Sequence, residues 1–245
     1  MKLLIPREVR AFLFDLDGVL TKTAVVHEAA WKETFDDFLR RRDGDGFRPF
    51  GQADYDAYVD GRPRYDGVRA FLASRHITLP EGEEDDPPGL DTVRGLGDRK
   101  NDLVLTKIRE EGVEAYPGSV EFLEIVRRAG LATAVVSSSV NCRDVLDAAG
   151  IGDLFDVRVD GRVAAERGLA GKPAPDTFLA AAADLGVTPE HAAVFEDAVA
   201  GMDAGRAGAF GYVVGVDRIG HAAALRAHGA DIVVKDLAEL LGDTH

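Results

Sequence analysis

The sequence holds a single cysteine, Cys142, among 245 residues. No intramolecular disulfide can form, which is compatible with the reducing cytoplasm where the chain is expected to reside. No apolar run approaches the roughly 18 residues of a membrane span, so no membrane partner is expected. The opening residues, Met1-Lys2-Leu3-Leu4-Ile5-Pro6-Arg7-Glu8, lack the apolar stretch of a secretory signal, and none is expected. Cations are in short supply: 29 Lys and Arg stand against 43 Asp and Glu, a formal charge of −14. That balance argues against nucleic acid, whose phosphate backbone demands cationic patches. A phosphate-bearing ligand would have to be met by a local cationic site set against the field of the whole molecule.

What is present suits a soluble globular chain. Hydrophobic residues make up 46%, enough for a sizeable core in one large domain or two small ones. The stretch Ala11-Phe12-Leu13-Phe14-Asp15-Leu16-Asp17-Gly18 reads as a short strand, apolar on both faces, that ends in two carboxylates and a turn. A lone Asp-x-Asp-Gly is more often a plain turn, because Asp bonds its own backbone readily. Two carboxylates at a buried strand end nevertheless repel each other, and a hard cation such as Mg2+ would relieve the repulsion.

Thr23 to Arg42 reads as a helix, with Ala24, His27, Ala30, Trp31, Phe35, Phe38 and Leu39 at helical spacing. A short helix over 68–74 and another over 100–111 follow. Residues 80–91 form an acidic, proline-bearing stretch without period, read as a solvated, mobile loop. From Tyr116 onward the pattern changes. Strands over 131–136, 155–159, 192–196, 210–216 and 232–234 alternate with helices over 119–129, 141–149, 176–185, 198–207 and 222–228, several closed by glycine. Alternation of this kind predicts an α/β, doubly wound parallel sheet that includes the first strand. Residues 1–22 and 113–245 would then form the core domain, and 23–112 an α-helical cap inserted after the first strand, over the carboxyl ends where such sheets bind ligands.

The strand ends and one loop carry the candidate chemistry: Asp15 and Asp17; Ser137-Ser138-Ser139-Val140-Asn141; Gly171-Lys172-Pro173 on the loop; and Glu196-Asp197. Taken singly, each has a bland reading: helix capping for the serines, a solvated lysine, dipole complementarity for the acidic pair. As an ordered set spanning residues 12–201 they resemble the haloacid dehalogenase superfamily of phosphotransferases, with a Rossmann-like core. The resemblance implies that Asp15 is the nucleophile that becomes an aspartyl phosphate and Asp17 the general acid and base. It implies that Ser137 and Lys172 hold the transferring phosphoryl group. It further implies that Asp15, Glu196, Asp197 and the backbone carbonyl of Asp17 bind Mg2+.

The segment Thr21-Lys22-Thr23-Ala24-Val25-Val26-His27 is similar to the hinge helix of the β-phosphoglucomutase-like family, in which Thr23 and His27 would face the site from one side of the helix. Lys22 stands where that group commonly has Asp. Lys100 and Asn101 match cap residues that contact the sugar phosphate, and Ser138, Ser139 and Asn141 match phosphate-contacting positions. Arg69 is the first choice for the distal phosphate, with Arg64 and Arg75 as alternatives. The family implies a monomeric Mg2+-dependent mutase acting on a small sugar phosphate through a bisphosphate intermediate. A sugar-phosphate phosphatase of the same superfamily is the alternative, and a non-catalytic regulatory relative the remote one.

Overall fold

The computed structural model describes residues 2–242. The chain divides into two compact units: residues 1–22 with 113–245, and the inserted residues 23–112.

The first unit is built on strands β1 (Lys2–Leu3), β2 (Ala11–Phe14), β3 (Ala132–Val136), β4 (Val157–Val159), β5 (Ala192–Glu196), β6 (Tyr212–Val216), β7 (Ile232–Val234) and β8 (Leu241–Gly242). Six of them form one parallel sheet in the order β4-β3-β2-β5-β6-β7. The short β1 and β8 pair antiparallel in a sheet of their own. All four residues of β2 are buried, as expected of a strand hydrogen-bonded on both edges and covered on both faces. Phe12 and Phe14 join Phe195 of β5 and Phe122 of the helix Pro117–Arg128, and the Phe14 and Phe195 rings stack at 4.6 Å. Ala11 and Leu13 alternate into a second core with Val136, Val194, Phe178 and Met202. The central position of β2 is a topological switch point: the chain runs outward to β3 and β4 on one side and to β5, β6 and β7 on the other. Ligand sites in open parallel sheets lie at the carboxyl ends beside such a point.

The connections to the inserted unit are tied together within the first one. Lys22 N–H donates to Glu114 O at 2.9 Å, Tyr116 N–H donates to Leu20 O at 2.9 Å, and Thr21 and Ala115 form an antiparallel bridge.

The second unit contains helices Ala24–Asp43, Arg64–Ser74 and Val93–Glu111 and no strand. Its own core is aromatic: Trp31, Phe35, Phe38, Phe50 and Phe71, with Phe35 and Phe71 centroids at 4.1 Å. The last helix begins at Val93, seven residues before the start that its polar sequence pattern predicts. Gly95 and Gly97 hide that first turn from a propensity reading, yet both are required by close packing. A Cβ at Gly95 would lie 2.5 Å from Leu90 O, and one at Gly97 2.8 Å from the Tyr65 ring. The acidic loop 80–91 is better anchored than its composition predicts. Val93 and Arg94 N–H donate to the carbonyls of Pro80 and Glu81, and Asp86 accepts from Glu83 N–H and Thr92 Oγ1.

Further differences follow the same physics. A helix over Gly161–Arg167, capped by Asp160, lies between the predicted strand over 155–159 and the predicted helix over 176–185, where no element is predicted. Gly150 closes its helix in the left-handed conformation, whereas Gly208 does not: its φ is −79° and Ala209 takes the positive value, 53°. Gly208 is instead small because a Cβ there would sit 2.5 Å from the Phe210 ring.

Candidate active site

The carboxyl ends of β2, β3 and β5 bring four of the sequence motifs together in the α/β unit. Asp15 follows β2 directly, and its N–H donates to Phe195 O at 2.9 Å, so the strand ladder continues to the carboxylate itself. Lys172 is buried between two acids: its Nζ lies 2.5 Å from Asp15 Oδ1 and 2.6 Å from Glu196 Oε1, and donates to Val136 O at 3.0 Å. Glu196 Oε2 accepts from the N–H groups of Asp197 and Ala198. The Phe178 ring lies beneath the ammonium at 4.9 Å.

The electrostatic balance is uneven. Burial pushes the Asp15 carboxyl well above the usual carboxylate range; Lys172 pulls it down, while Glu196 and Asp17 push it further up. Burial alone would lower the Lys172 ammonium, but Asp15 and Glu196 outweigh burial and hold it above its ordinary value. Asp15 and Glu196 thus share one ammonium, with Asp17 adding negative charge beside Asp15, and a further positive charge would ease that balance. Asp15, Glu196 and Asp197 each offer an oxygen, and these atoms lie within 4.8 Å of one another. An all-oxygen set of this kind fits a hard divalent cation such as Mg2+.

Two glycines make room for the acids. Gly18 adopts φ +83°, open to glycine and costly for other residues, and a Cβ there would sit 1.7 Å from Asp197 Oδ2. A Cβ at Gly201 would lie 1.8 Å from Glu196 Cδ. Gly201 was not singled out by sequence; its place one turn after Asp197 on the helix Val199–Ala207 is the signal that identifies it.

The serine run folds as a turn. Ser137 N–H donates to Val159 O, Ser137 Oγ accepts from Ser139 N–H at 3.1 Å, and Ser139 Oγ accepts from Asn141 N–H at 3.1 Å. The simple capping reading does not hold: the helix Cys142–Ala149 begins at Asn141 without a side-chain cap. The serines shape the loop ahead of the helix, with Ser137 and Asn141 buried and Ser138 and Ser139 half-buried.

The remaining candidates lie in the helical unit. His27 N–H donates to Thr23 O at 3.0 Å, and Thr23 is buried. Lys100 Nζ is 2.9 Å from His27 Nδ1 and 4.9 Å above the Trp31 ring, so the pair spans two helices. A lysine ammonium can only donate, so His27 Nδ1 accepts and any ring proton resides on Nε2. Asn101 follows on the same helix, half-buried.

The three arginine candidates differ sharply. Arg69, the first choice from sequence, is exposed and already paired with Asp66 at 2.6 Å and with Glu81. Arg75 is half-buried in a pair with Asp54 at 2.7 Å and donates to the carbonyls of Arg48 and Pro49. Arg64 pairs with Asp98 at 3.2 Å through Nη2, while its buried Nη1 has no hydrogen-bond partner among the described groups. A buried donor left unsatisfied is costly, and of the three only Arg64 keeps such a donor. Two carboxylates engage the Arg69 guanidinium, whereas Arg64 holds a buried donor still to be satisfied.

These features coincide with a known class. The profile of the haloacid dehalogenase-like hydrolases matches residues 9–208, and the chain belongs to that family of enzymes. Its relatives narrow the comparison. The β-phosphoglucomutase of Mycobacterium tuberculosis is 56% identical over 244 residues, covering 97% of this chain and 93% of the relative. The β-phosphoglucomutase of Bacillus subtilis is 31% identical over 95% of this chain and 92% of its own. Among solved structures, the β-phosphoglucomutase of Clostridium difficile superimposes with a TM-score of 0.76 at 28% identity, covering 95% of this chain and 93% of that one.

Proposed function

We propose that the protein is a Mg2+-dependent β-phosphoglucomutase, interconverting β-glucose 1-phosphate and glucose 6-phosphate through a bisphosphate. The observation that carries the phosphoryl-transfer chemistry is Lys172 held between Asp15 and Glu196 at 2.5 and 2.6 Å. The 56% identity to a named β-phosphoglucomutase supports the choice of acceptor.

Asp15 carries the phosphoryl group as an aspartyl phosphate, formed when a carboxylate oxygen displaces the leaving oxygen of a phosphate ester. Asp17 moves the proton: it takes one from the attacking sugar hydroxyl and returns one to the leaving oxygen. Lys172 places its charge against the nucleophile and the transferred oxygens, and Ser137 and its loop N–H groups bind the same oxygens. Asp15, Glu196, Asp197 and the Asp17 carbonyl would hold Mg2+, which supplies neutralisation of the phosphoryl charge. Phospho-Asp15 donates to the free hydroxyl of the sugar phosphate, the bisphosphate reorients, and Asp15 takes back the other group. Positioning and charge neutralisation do most of the work in such transfers.

In the helical unit His27, held by Lys100, serves the sugar phosphate. Thr23, Asn101, Ser138, Ser139 and Asn141 contact substrate oxygens, and Arg64 binds the distal phosphate, its planar fork matching that group. The protein acts as a monomer in the cytoplasm on this reading.

A coupled assay tests the proposal. β-Glucose 1-phosphate with a trace of bisphosphate should yield glucose 6-phosphate. Release of inorganic phosphate instead would assign the protein to the phosphatases of its family, with water as the acceptor.

A further inference from the structure

The loop between β6 and the helix Ala222–Ala227 carries none of the groups assigned to the reaction, yet it touches both acidic loops of the site. Arg218 uses all three guanidinium nitrogens. Nε donates to Gly18 O at 3.0 Å, and Nη2 to Val19 O at 3.3 Å and Ser119 Oγ at 3.2 Å. Nη1 donates to Lys235 O at 2.6 Å and to Asp236 Oδ2 at 2.9 Å. The guanidinium stacks on the Tyr116 ring at 3.7 Å, and the side chain is 14% exposed. Val19 O accepts a second bond, from Ser119 Oγ, at 2.7 Å. Gly18 and Val19 are the two residues after Asp17, so the turn that sets the Asp17 carbonyl and carboxylate is held through its own backbone oxygens.

Three residues further on, His221 Nε2 lies 2.9 Å from Asp197 O. A carbonyl only accepts, so Nε2 carries the proton and donates. The loop is itself stiffened: Asp217 accepts from the N–H groups of Gly220, His221 and Ala222, and its own N–H donates to Val234 O. Ile219, between the two contacting residues, points outward and is 58% exposed.

We infer that loop 217–222 is a brace that fixes the Asp17 turn and the Asp197 turn in register, with Arg218 and His221 as positioning residues. Both act on backbone oxygens beside acidic groups, so their loss should loosen the oxygen set without removing a member of it. Outer-shell partners of this type shift metal affinity by about 10- to 100-fold. The metal consequence rests on the function proposed above; the brace does not.

Amide hydrogen exchange tests the brace directly, on the full chain and without metal or substrate. Gly18 N–H, bonded to Thr21 O at 2.8 Å, reports on the Asp17 turn. Arg218→Met should speed its exchange at least about tenfold while sheet amides of β2 keep their rate, since local openings are separable from global ones. Arg218→Lys, which keeps the charge but not the fork, should fall in between. Ile219→Ser should leave the rate unchanged. Mn2+ titration should then show weaker binding in Arg218→Met and His221→Ala, and steady-state kinetics a lower kcat with little change in KM. Unchanged Gly18 exchange in Arg218→Met, or acceleration spread evenly over the β2 amides, would overturn the inference. Failure of the wild type to turn over sugar phosphates would overturn the proposed function and leave the exchange result standing.

Discussion

In the α/β unit, Asp15 and Glu196 stand at the ends of strands bonded on both edges, and Lys172 reaches them from a loop. Asp15 follows a strand paired with both β3 and β5, and Lys172 and Glu196 close on it in full burial. In the helical unit the comparable groups stand on helix faces. His27 and Lys100 meet across two helices, Arg64 leans on Tyr65, and Arg69 lies among surface carboxylates. A strand end fixes a side chain through a backbone that barely moves, while a helix face fixes it through side-chain packing. On the function proposed above, the difference would suit chemistry that tolerates little displacement in one unit and recognition of the sugar phosphate in the other.

Substitutions sharpen that contrast, and the largest effect belongs to the strand end. Asp15→Asn should reduce turnover of β-glucose 1-phosphate by about 10^4-fold or more, since loss of a nucleophile removes the pathway itself. Circular dichroism should show the fold retained. Residual activity near wild type would assign the nucleophile elsewhere.

Lys172→Met comes next. It leaves Asp15 and Glu196 buried and facing each other, and breaking such a pair costs about 3–5 kcal/mol. Denaturant unfolding of the metal-free protein measures this; a stability equal to wild type would refute the charge balance drawn for the site.

The helical unit should respond more selectively. Arg64→Met should raise KM for the sugar phosphate by about ten- to a hundredfold, the worth of a charged hydrogen bond. Arg69→Met should leave KM unchanged and alter stability by less than about 1 kcal/mol, as exposed ion pairs do. The opposite ranking would restore Arg69 as the phosphate ligand.

A change in stability alone is predicted at Asp217. Burial alone would raise its carboxyl, but the N–H groups of His221, Gly220 and Ala222 outweigh burial and hold it below its ordinary value of 3.8. Folding therefore favours the ionised form, and the stability it contributes is present above that value and lost as pH falls through the lowered one. Asp217→Asn should cost about 1–2 kcal/mol at neutral pH, and the gap from wild type should close below about pH 4. A gap that widens on acidification would reverse the assignment.

Elements with a strong period were legible from sequence. The strand Ala192–Glu196 appears with the bounds its apolar run predicts, and the helix after Asn141 stops at Gly150. Other features carry no local pattern. Two-residue strands such as β1 and β8 exist only through each other, across more than two hundred residues. The start of the helix at Val93 is masked by glycines whose reason lies in Leu90 and Tyr65. Acids at strand ends are visible because each follows an apolar run. Arg64 and Arg69 carry the same side chain, and only their neighbours, Asp98 against Asp66 and Glu81, tell them apart. Arg218 and His221 bind backbone oxygens, whose positions no residue type announces.

The paired connections at Leu20–Lys22 and Glu114–Tyr116 have an evolutionary corollary. An insertion whose two ends are already zipped together behaves as a closed loop, and each doubling of a flexible loop adds only about 0.6 kcal/mol of closure entropy. The sheet is thus nearly indifferent to how much chain is spliced between Lys22 and Glu114. Insertions can lengthen, shorten or be exchanged there while Asp15 and Asp17 keep their places, so new acceptors can be tried without rebuilding the catalytic strand. A chimera carrying a relative's residues between those two points should retain the sheet, and its acceptor preference should travel with the graft.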